Sequence, residues 1–399
     1  MARLLNNSMS DSLGIYVQVP FCASKCSFCN FSSQVAHSNA YEPYAAALIR
    51  EISLVAPREA RQGSEFGALP VNTLYWGGGT PTLLGSAHLR RIFDALQKAF
   101  RLDQVVEHTI ELTPASADRA LLDDLLRLGV NRLSIGAQSF DDRELRTTGR
   151  LHSAEETSEQ VEAARRASYR NLNLDLIAGL PFQTIESWRK SLQALAWLNP
   201  EHVSIYLFEA DEKSRLGREV LSHGSGNHAT AMPGEEFMCR AYEIACEFLQ
   251  KEGYVHYEIS NFARPGYESI HNRKYWRRQP YLGFGAGAHS FDGERRWANE
   301  TAPDMYEHRV ADGALPTAEE HSLEPCEHAE EFFFLGLREM AGVSLDFAER
   351  RWGSAPYSRW KDEVERLESE GFLTRSDGRV RLAEHALLVS NEIFQQFLR

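Results

Sequence analysis

The stretch GIYVQVPFCASKCSFCNFSS, residues 14–33, runs a strand-like segment straight into three cysteines, Cys22, Cys26 and Cys29. The apolar, β-branched start reads as a strand that ends where the cysteines begin. The spacing C-x₃-C-x₂-C supplies three sulfurs and no fourth, which is too few to close a structural zinc site. His37 lacks the usual ligand spacing, and no second C-x-x-C follows. A [4Fe–4S] cluster on three thiolates suits this count, because one iron then keeps a position for an outside ligand. Cys239 and Cys246, seven apart on one helical stretch, read instead as core residues.

Strand-then-helix units repeat outward from this stretch. VNTLYWGGG (71–79) precedes SAHLRRIFDALQKAF, and EHTIELTP (107–114) precedes ADRALLDDLLRLG. NRLSIGAQS (131–139), NLNLDLIAGLP (171–181) and HVSIYLFEA (202–210) are each followed by a helical pattern too. Six such units imply parallel strands with right-handed crossovers, hence an α/β barrel or a doubly wound sheet. Periodicity alone leaves both open. Polar and glycine residues gather where the strands run out: Cys22, Gly77 to Thr80, Glu111, Gln138 and Asp175. Parallel α/β folds hold their ligands at those ends.

The rhythm breaks near residue 254, in an aromatic- and glycine-rich stretch containing HNRKYW (271–276). From about residue 322 the pattern is mainly helical and ends in FLTRSDGRVRL, whose Asp377-Gly378 pair suits a hairpin turn. The reading is three parts: a (β/α)₆ core over 1–253, a connecting region over 254–321, and a winged-helix-like domain over 322–399. A chain of 399 residues with 43% hydrophobic and 25% charged residues is ordinary for a globular protein of this size. The net charge of −13 argues against nucleic acid as a partner. No apolar run reaches the roughly 18 residues of a membrane span, and the start MARLLNNSMSDSLG has no signal-peptide core. A cytoplasmic protein, not integral to a membrane, is expected, and a dimer is compatible with all of this.

The three-cysteine motif, with Phe28 before its last cysteine, resembles that of the radical S-adenosylmethionine (SAM) superfamily. The resemblance implies a partial (β/α)₆ barrel of the TIM type, a [4Fe–4S] cluster on Cys22, Cys26 and Cys29, and SAM on the open iron. In that family one electron from the cluster cleaves SAM to a deoxyadenosyl radical. YWGGGTP (75–81) resembles the family's glycine motif, although a tight turn explains glycines equally well. Resemblance to the coproporphyrinogen-oxidase-like subgroup carries SAM contacts onto Tyr16, Phe28, Gly78, Gly79, Thr80, Glu111, Gln138, Arg150 and Asp175.

Within that subgroup, NRLSIGAQSFDDRELRTTGRLHSAEE and HNRKYW look most similar to the HemW-type haem chaperones. These imply haem as ligand and an acceptor haemoprotein as partner. The alternative is an oxygen-independent coproporphyrinogen III oxidase. Such oxidases carry a further cysteine two residues after the motif, where this chain has Phe31, and a longer N-terminal extension. In HNRKYW the candidate haem contacts are His271 for the iron and Asn272, Tyr275 and Trp276 for the ring. Arg273, Lys274, Arg277 and Arg278 are candidates for the propionates. His289 is a second candidate ligand. The bland alternative is a surface loop with a packed Trp and solvated charges.

Overall fold

The structure, a computed structural model, describes residues 12–61, 69–222, 229–352 and 354–398. The start of the chain, on which the signal-peptide expectation rests, and the centre of the loop after residue 222 lie outside the described residues. The six units are strands β1 (Leu13–Val19), β2 (Val71–Gly78), β3 (Glu107–Leu112), β4 (Arg132–Gln138), β5 (Leu172–Ala178) and β6 (His202–Leu207). Their helices are α1 (Tyr41–Arg61), α2 (Gly85–Ala99), α3 (Arg119–Arg127), α4 (Ala154–Arg166), α5 (Ile185–Leu198) and α6 (Glu235–Lys251). The six strands pair in parallel and in chain order. Every crossover therefore steps the same way, as in barrel winding, whereas a doubly wound sheet reverses its order. Among the described residues the sheet is open: it forms part of a barrel and its two edges do not pair.

The break in rhythm after residue 254 has a structural cause. Beyond β6 the sheet is extended by antiparallel β7 (Val255–Glu258) and β8 (Asn261–Ala263). Helix α7 (Ile270–Trp276) follows. The chain then returns to the other edge, where β9 (Tyr281–Phe284) runs parallel to β1. β10 (His289–Phe291), β11 (Arg295–Asn299) and, after helix α8 (Pro303–Ala311), β12 (Thr317–Ser322) complete a 12-stranded sheet. Residues 254–321 thus build both sheet edges rather than merely connecting two domains.

Alternation along the core strands separates two environments. Ile15, Val17, Leu74, Trp76, Ile110, Leu133, Ile135, Leu174 and Val203 are buried and join the apolar core. The alternating set, Thr73, Glu107, Thr109, Arg132, Ser134, Asn173, His202 and Ser204, is equally buried yet polar. The interior of the curled sheet is therefore hydrophilic, and burial makes each of these groups depend on a partner. Helix starts are locally encoded: Ser153 and Glu156 form a capping box on α4, and Asp118 accepts from Leu121 N on α3.

The C-terminal part runs α9 (Pro325–Gly336), β13 (Val343–Ser344), α10 (Leu345–Trp352), α11 (Ser354–Ser369), β14 (Leu373–Ser376) and β15 (Arg379–Leu382). Its three strands pair in the order β13, β15, β14. The helices followed by a hairpin are those read from the sequence, and the structure adds the short strand β13 between the first two helices. Asp377 and Gly378 take φ of 53° and 71°, the left-handed pair that a tight hairpin turn requires. Among the described residues no helix is long and apolar enough to cross a membrane. Cys239 departs from its core reading, since it is exposed on α6. Cys246 alone of that pair packs against the core.

Candidate cluster and cofactor site

The loop after β1 carries the three cysteines to one wall of a cavity of about 860 Å³. That volume suits a small-molecule cofactor site. Cys22, Cys26, Phe28, Cys29, Gly78, Gly79, Thr80, Glu111, Gln138, Arg150 and Asp175 all line it. They come from six separate segments, and all but Arg150, which follows β4 at a distance of twelve residues, sit at or just past the same end of a parallel strand. Of the residues picked from the sequence for this site, only Tyr16 lies off the wall. It stands one layer below, its hydroxyl donating to Gln18 Oε1 at 2.7 Å and its ring stacked on Tyr75 at 5.8 Å.

The glycine turn is fitted against the cysteine loop. Gly79 N donates to Val19 O at 2.8 Å and Thr80 N to Phe21 O at 2.7 Å. A Cβ on Gly79 would stand 2.4 Å from Phe21 O and 3.0 Å from Cys22 Sγ. On Gly78, whose φ is +107°, it would strike the Gln18 amide. Close approach to the cysteine loop therefore demands glycine at 79, and the left-handed turn beside Gln18 demands it at 78.

Glu111 is held from two sides. Tyr75 OH donates to Oε1 at 2.8 Å and Gly78 N to Oε2 at 3.1 Å. Burial, chiefly, pushes the Glu111 carboxyl up to about 7, with Asp175 adding to the rise while Tyr75, Gly78 and Arg132 oppose it. Burial also raises Asp175, against hydrogen bonds from Ser204 and Asn173 and the charges of Arg132 and Arg150. Burial raises the Cys22 thiol as well, partly offset by the Ser33 and Thr80 hydroxyls, with Cys26 and Cys29 adding to the rise. Arg150 Nη1 approaches Cys26 Sγ at 3.5 Å.

The donor set fits a cluster with an attached cofactor. Among the described residues no three His, Cys, Asp or Glu side chains converge on a single metal ion. Thiolates that each serve a different iron of one cluster have no reason to converge so tightly. Gln138 Oε1 and Arg150 Nε, on cavity-lining residues, are buried without hydrogen-bond partners. Such orphans call for a polar ligand. When bound, the cluster and SAM supply one-electron chemistry; this chain's part is to bind, orient and screen them.

HNRKYW lies elsewhere, and it is not the surface loop of the alternative reading. It is helix α7, capped by Ser269 and by Glu107, which accepts from Ile270 N and His271 N. His271 is fully buried, its Nδ1 2.8 Å from Thr73 Oγ1 and its Nε2 2.8 Å from Tyr275 OH. Neither nitrogen is free for iron in this conformation. Burial, chiefly, lowers its pKa to about 3. The four cations are also engaged. Arg273 and Arg277 bond Glu339 at 2.9 and 3.0 Å, Arg278 bonds Glu331 at 2.9 Å, and buried Lys274 donates to Ser12. Tyr275 packs edge-on to Tyr281, and Arg338 lies 4.4 Å over the Trp276 ring. Asn272 N donates to Ser269 Oγ as part of the cap. His289 is exposed at the start of β10.

Sequence reasoning missed Tyr75, which orients Glu111, and Arg132 beneath the cavity. The available signal was parity: residues 132, 134, 136 and 138 share one strand face, and three of them line the cavity. It also missed Leu387, Leu388, Ser390 and Asn391, which bring the C-terminal domain to the cavity wall. No local pattern marks those four.

Comparison with known proteins agrees with this geometry. Residues 16–195 match the family model of the Radical SAM superfamily, and residues 323–389 match the HemN C-terminal domain. Over the full length, the chain is 32% identical to the heme chaperone HemW of Bacillus subtilis, covering 96% of this chain and 98% of that one. It is 33% identical to the heme chaperone HemW of Synechocystis, covering 82% and 78%. Among solved structures, coproporphyrinogen III oxidase (HemN) from Escherichia coli superposes with a TM-score of 0.84 at 24% identity, over 98% of this chain and 91% of that one. At that identity the superposition speaks for the fold. The chain belongs to the HemW family within the radical SAM superfamily.

Proposed function

We propose that this protein is a haem chaperone, binding haem and passing it to an acceptor haemoprotein, with a retained [4Fe–4S] and SAM site. The observation that carries the reading is similarity along essentially the whole length to proteins named heme chaperone HemW. Phe31 supports it further: an exposed phenylalanine stands where the oxidases' additional cysteine would be. In this reading Cys22, Cys26 and Cys29 hold the cluster. Gly78, Gly79, Thr80 and Glu111 receive the methionine end of SAM, and Gln138, Arg150 and Asp175 its remaining polar groups.

Haem contact through His271, Asn272, Tyr275 and Trp276 stays a proposal with a condition attached. Helix α7 must release His271 from Thr73 and Tyr275 before its imidazole can reach iron. His289 needs no such opening. Reconstituted protein, titrated with haem and separately incubated with coproporphyrinogen III, SAM and reductant, tests the function. Haem uptake and transfer to an apo-haemoprotein, without porphyrinogen turnover, is the expected result. Multiple turnovers would make it an oxidase. Parallel haem titrations of His271→Ala and His289→Ala locate the ligand: the variant that shifts the haem absorption band carries it.

A further inference from the structure

Arg338 follows α9, where the chain runs antiparallel beside the edge strand β7. Ile259 N donates to Arg338 O at 3.1 Å, and Met340 N to Tyr257 O at 3.0 Å. Helix α7 backs this segment. The Arg338 guanidinium lies 4.4 Å over the Trp276 ring, and the adjacent Glu339 accepts from Arg273 Nε at 2.9 Å and Arg277 Nε at 3.0 Å. On its other side Arg338 lines the cofactor cavity. The guanidinium has donors to spare. Its Nε is buried without a hydrogen-bond partner, and Nη2 stands 3.7 Å from Glu258 Oε2, within ion-pair reach but beyond a hydrogen bond. Three cations, Arg273, Arg277 and Arg338, here meet two carboxylates, Glu258 and Glu339, which leaves one positive charge in excess. Nearby lining is apolar or aromatic: Ile259, Tyr206 from β6, and Leu387 and Leu388 from the C-terminal domain. At about 860 Å³ the cavity is near the upper end of the about 300–1,000 Å³ of small-molecule sites, so it has room beside the residues assigned to SAM.

We propose that Arg338 is the anion-recognising residue of a second ligand subsite in this cavity, one that takes a flat apolar ring bearing a carboxylate, and that α7 is the platform that positions it. The proposal rests on the haem-chaperone reading, in which the ring is haem and the carboxylate a propionate. A planar guanidinium receives a carboxylate in two parallel hydrogen bonds, and the ring packs on the apolar lining. Glu258 shares the guanidinium but already accepts from Ser260 N and Asn261 Nδ2 through its other oxygen, Oε1. Trp276 and the two arginines on Glu339 fix where Arg338 stands before any ligand arrives, which lowers the cost of ordering it. Trp276 then serves the ligand through Arg338, whether or not His271 leaves Thr73.

The test titrates the full chain with haem and with haem dimethyl ester, which keeps the ring and iron but caps both propionates. The wild type should prefer haem by about tenfold or more. In Arg338→Gln that preference should fall by about tenfold while ester binding stays unchanged. In Trp276→Leu it should shrink in the same direction, a selectivity that a merely structural role would not move. A loss that falls equally on haem and ester in Arg338→Gln, or a preference it leaves intact, overturns the proposal. Haem bound by the wild type without any preference over the ester overturns the proposal alone. A wild type that binds no haem overturns the chaperone reading and the proposal with it. If Arg338→Gln does not fold, arginine modification of the wild type by phenylglyoxal, mapped by mass spectrometry, decides. Haem should shield Arg338, and labelling that haem leaves unchanged overturns the proposal.

Discussion

Gly79→Ala isolates the contact on which the cluster loop depends. Gly79 does not take a left-handed φ, so alanine there brings no backbone strain of its own. What it brings is a Cβ 2.4 Å from Phe21 O and 3.0 Å from Cys22 Sγ. Restoring an ordinary contact requires the carbonyl to retreat by about 1 Å. That retreat strains the Thr80 N to Phe21 O bond, now 2.7 Å, and the Gly79 N to Val19 O bond, now 2.8 Å. Overpacking costs about 1–3 kcal/mol and each hydrogen bond lost about 0.5–1.5. The expected destabilisation is therefore about 2–6 kcal/mol, and Cys22 moves with its neighbour. The assay is denaturant unfolding beside iron and sulfide content after anaerobic reconstitution. Gly85→Ala is the control: its φ is +71° but a Cβ there meets nothing within 4 Å. It should cost about 1–2 kcal/mol from strain and leave the iron content unchanged. Full cluster content and unchanged stability in Gly79→Ala would refute the close-approach reasoning.

Replacing Cys22, Cys26 or Cys29 by alanine should abolish the reduced cluster's paramagnetic signal, whereas changing Cys239, Cys246 or Cys326 should not. Glu51, fully buried and accepting from Gly285 N, Tyr306 OH and Asn299 Nδ2, is pushed up to about 7, chiefly by burial. Its folded pKa lies above the unfolded one, so its stabilising proton is present at low pH and lost as pH rises through about 7. Glu51 should therefore make the protein about 2 kcal/mol less stable at about pH 7.5 than at about pH 5.5, a difference that Glu51→Gln should remove from the unfolding curves. His271→Ala strands Thr73 Oγ1 and the Tyr275 hydroxyl, and should cost about 2–4 kcal/mol in unfolding free energy whether or not haem is present. An unchanged stability there would mean that α7 is already loose.

The three sulfurs, the glycine turn and the strand-end polar residues were legible because each lies within one βα unit, where spacing and parity alone fix placement. The helical form of HNRKYW was not legible because its local composition, aromatic and basic, is that of a surface loop. Only the arrival of Glu107, Thr73 and Glu339 from remote strands and the C-terminal domain turns it into a buried, capped helix. Cys239 was misjudged because positions seven apart on one helix need not share burial: it is exposed in the first turns of α6, whereas Cys246 further along packs against the core.

By itself the sequence determined the alternation of strands and helices, the three-thiolate loop and the turn residues of the C-terminal hairpin. These depend on periods and φ preferences that each segment carries within itself. The tertiary structure decided that the strands wind in one direction, that residues 254–321 form both sheet edges, and that Arg338 stands between Trp276 and the cavity. Those facts depend on which distant segments become neighbours. A single chain written in order does not state such contacts, since burial, pairing and charge balance exist only once the sheet has assembled around its polar interior.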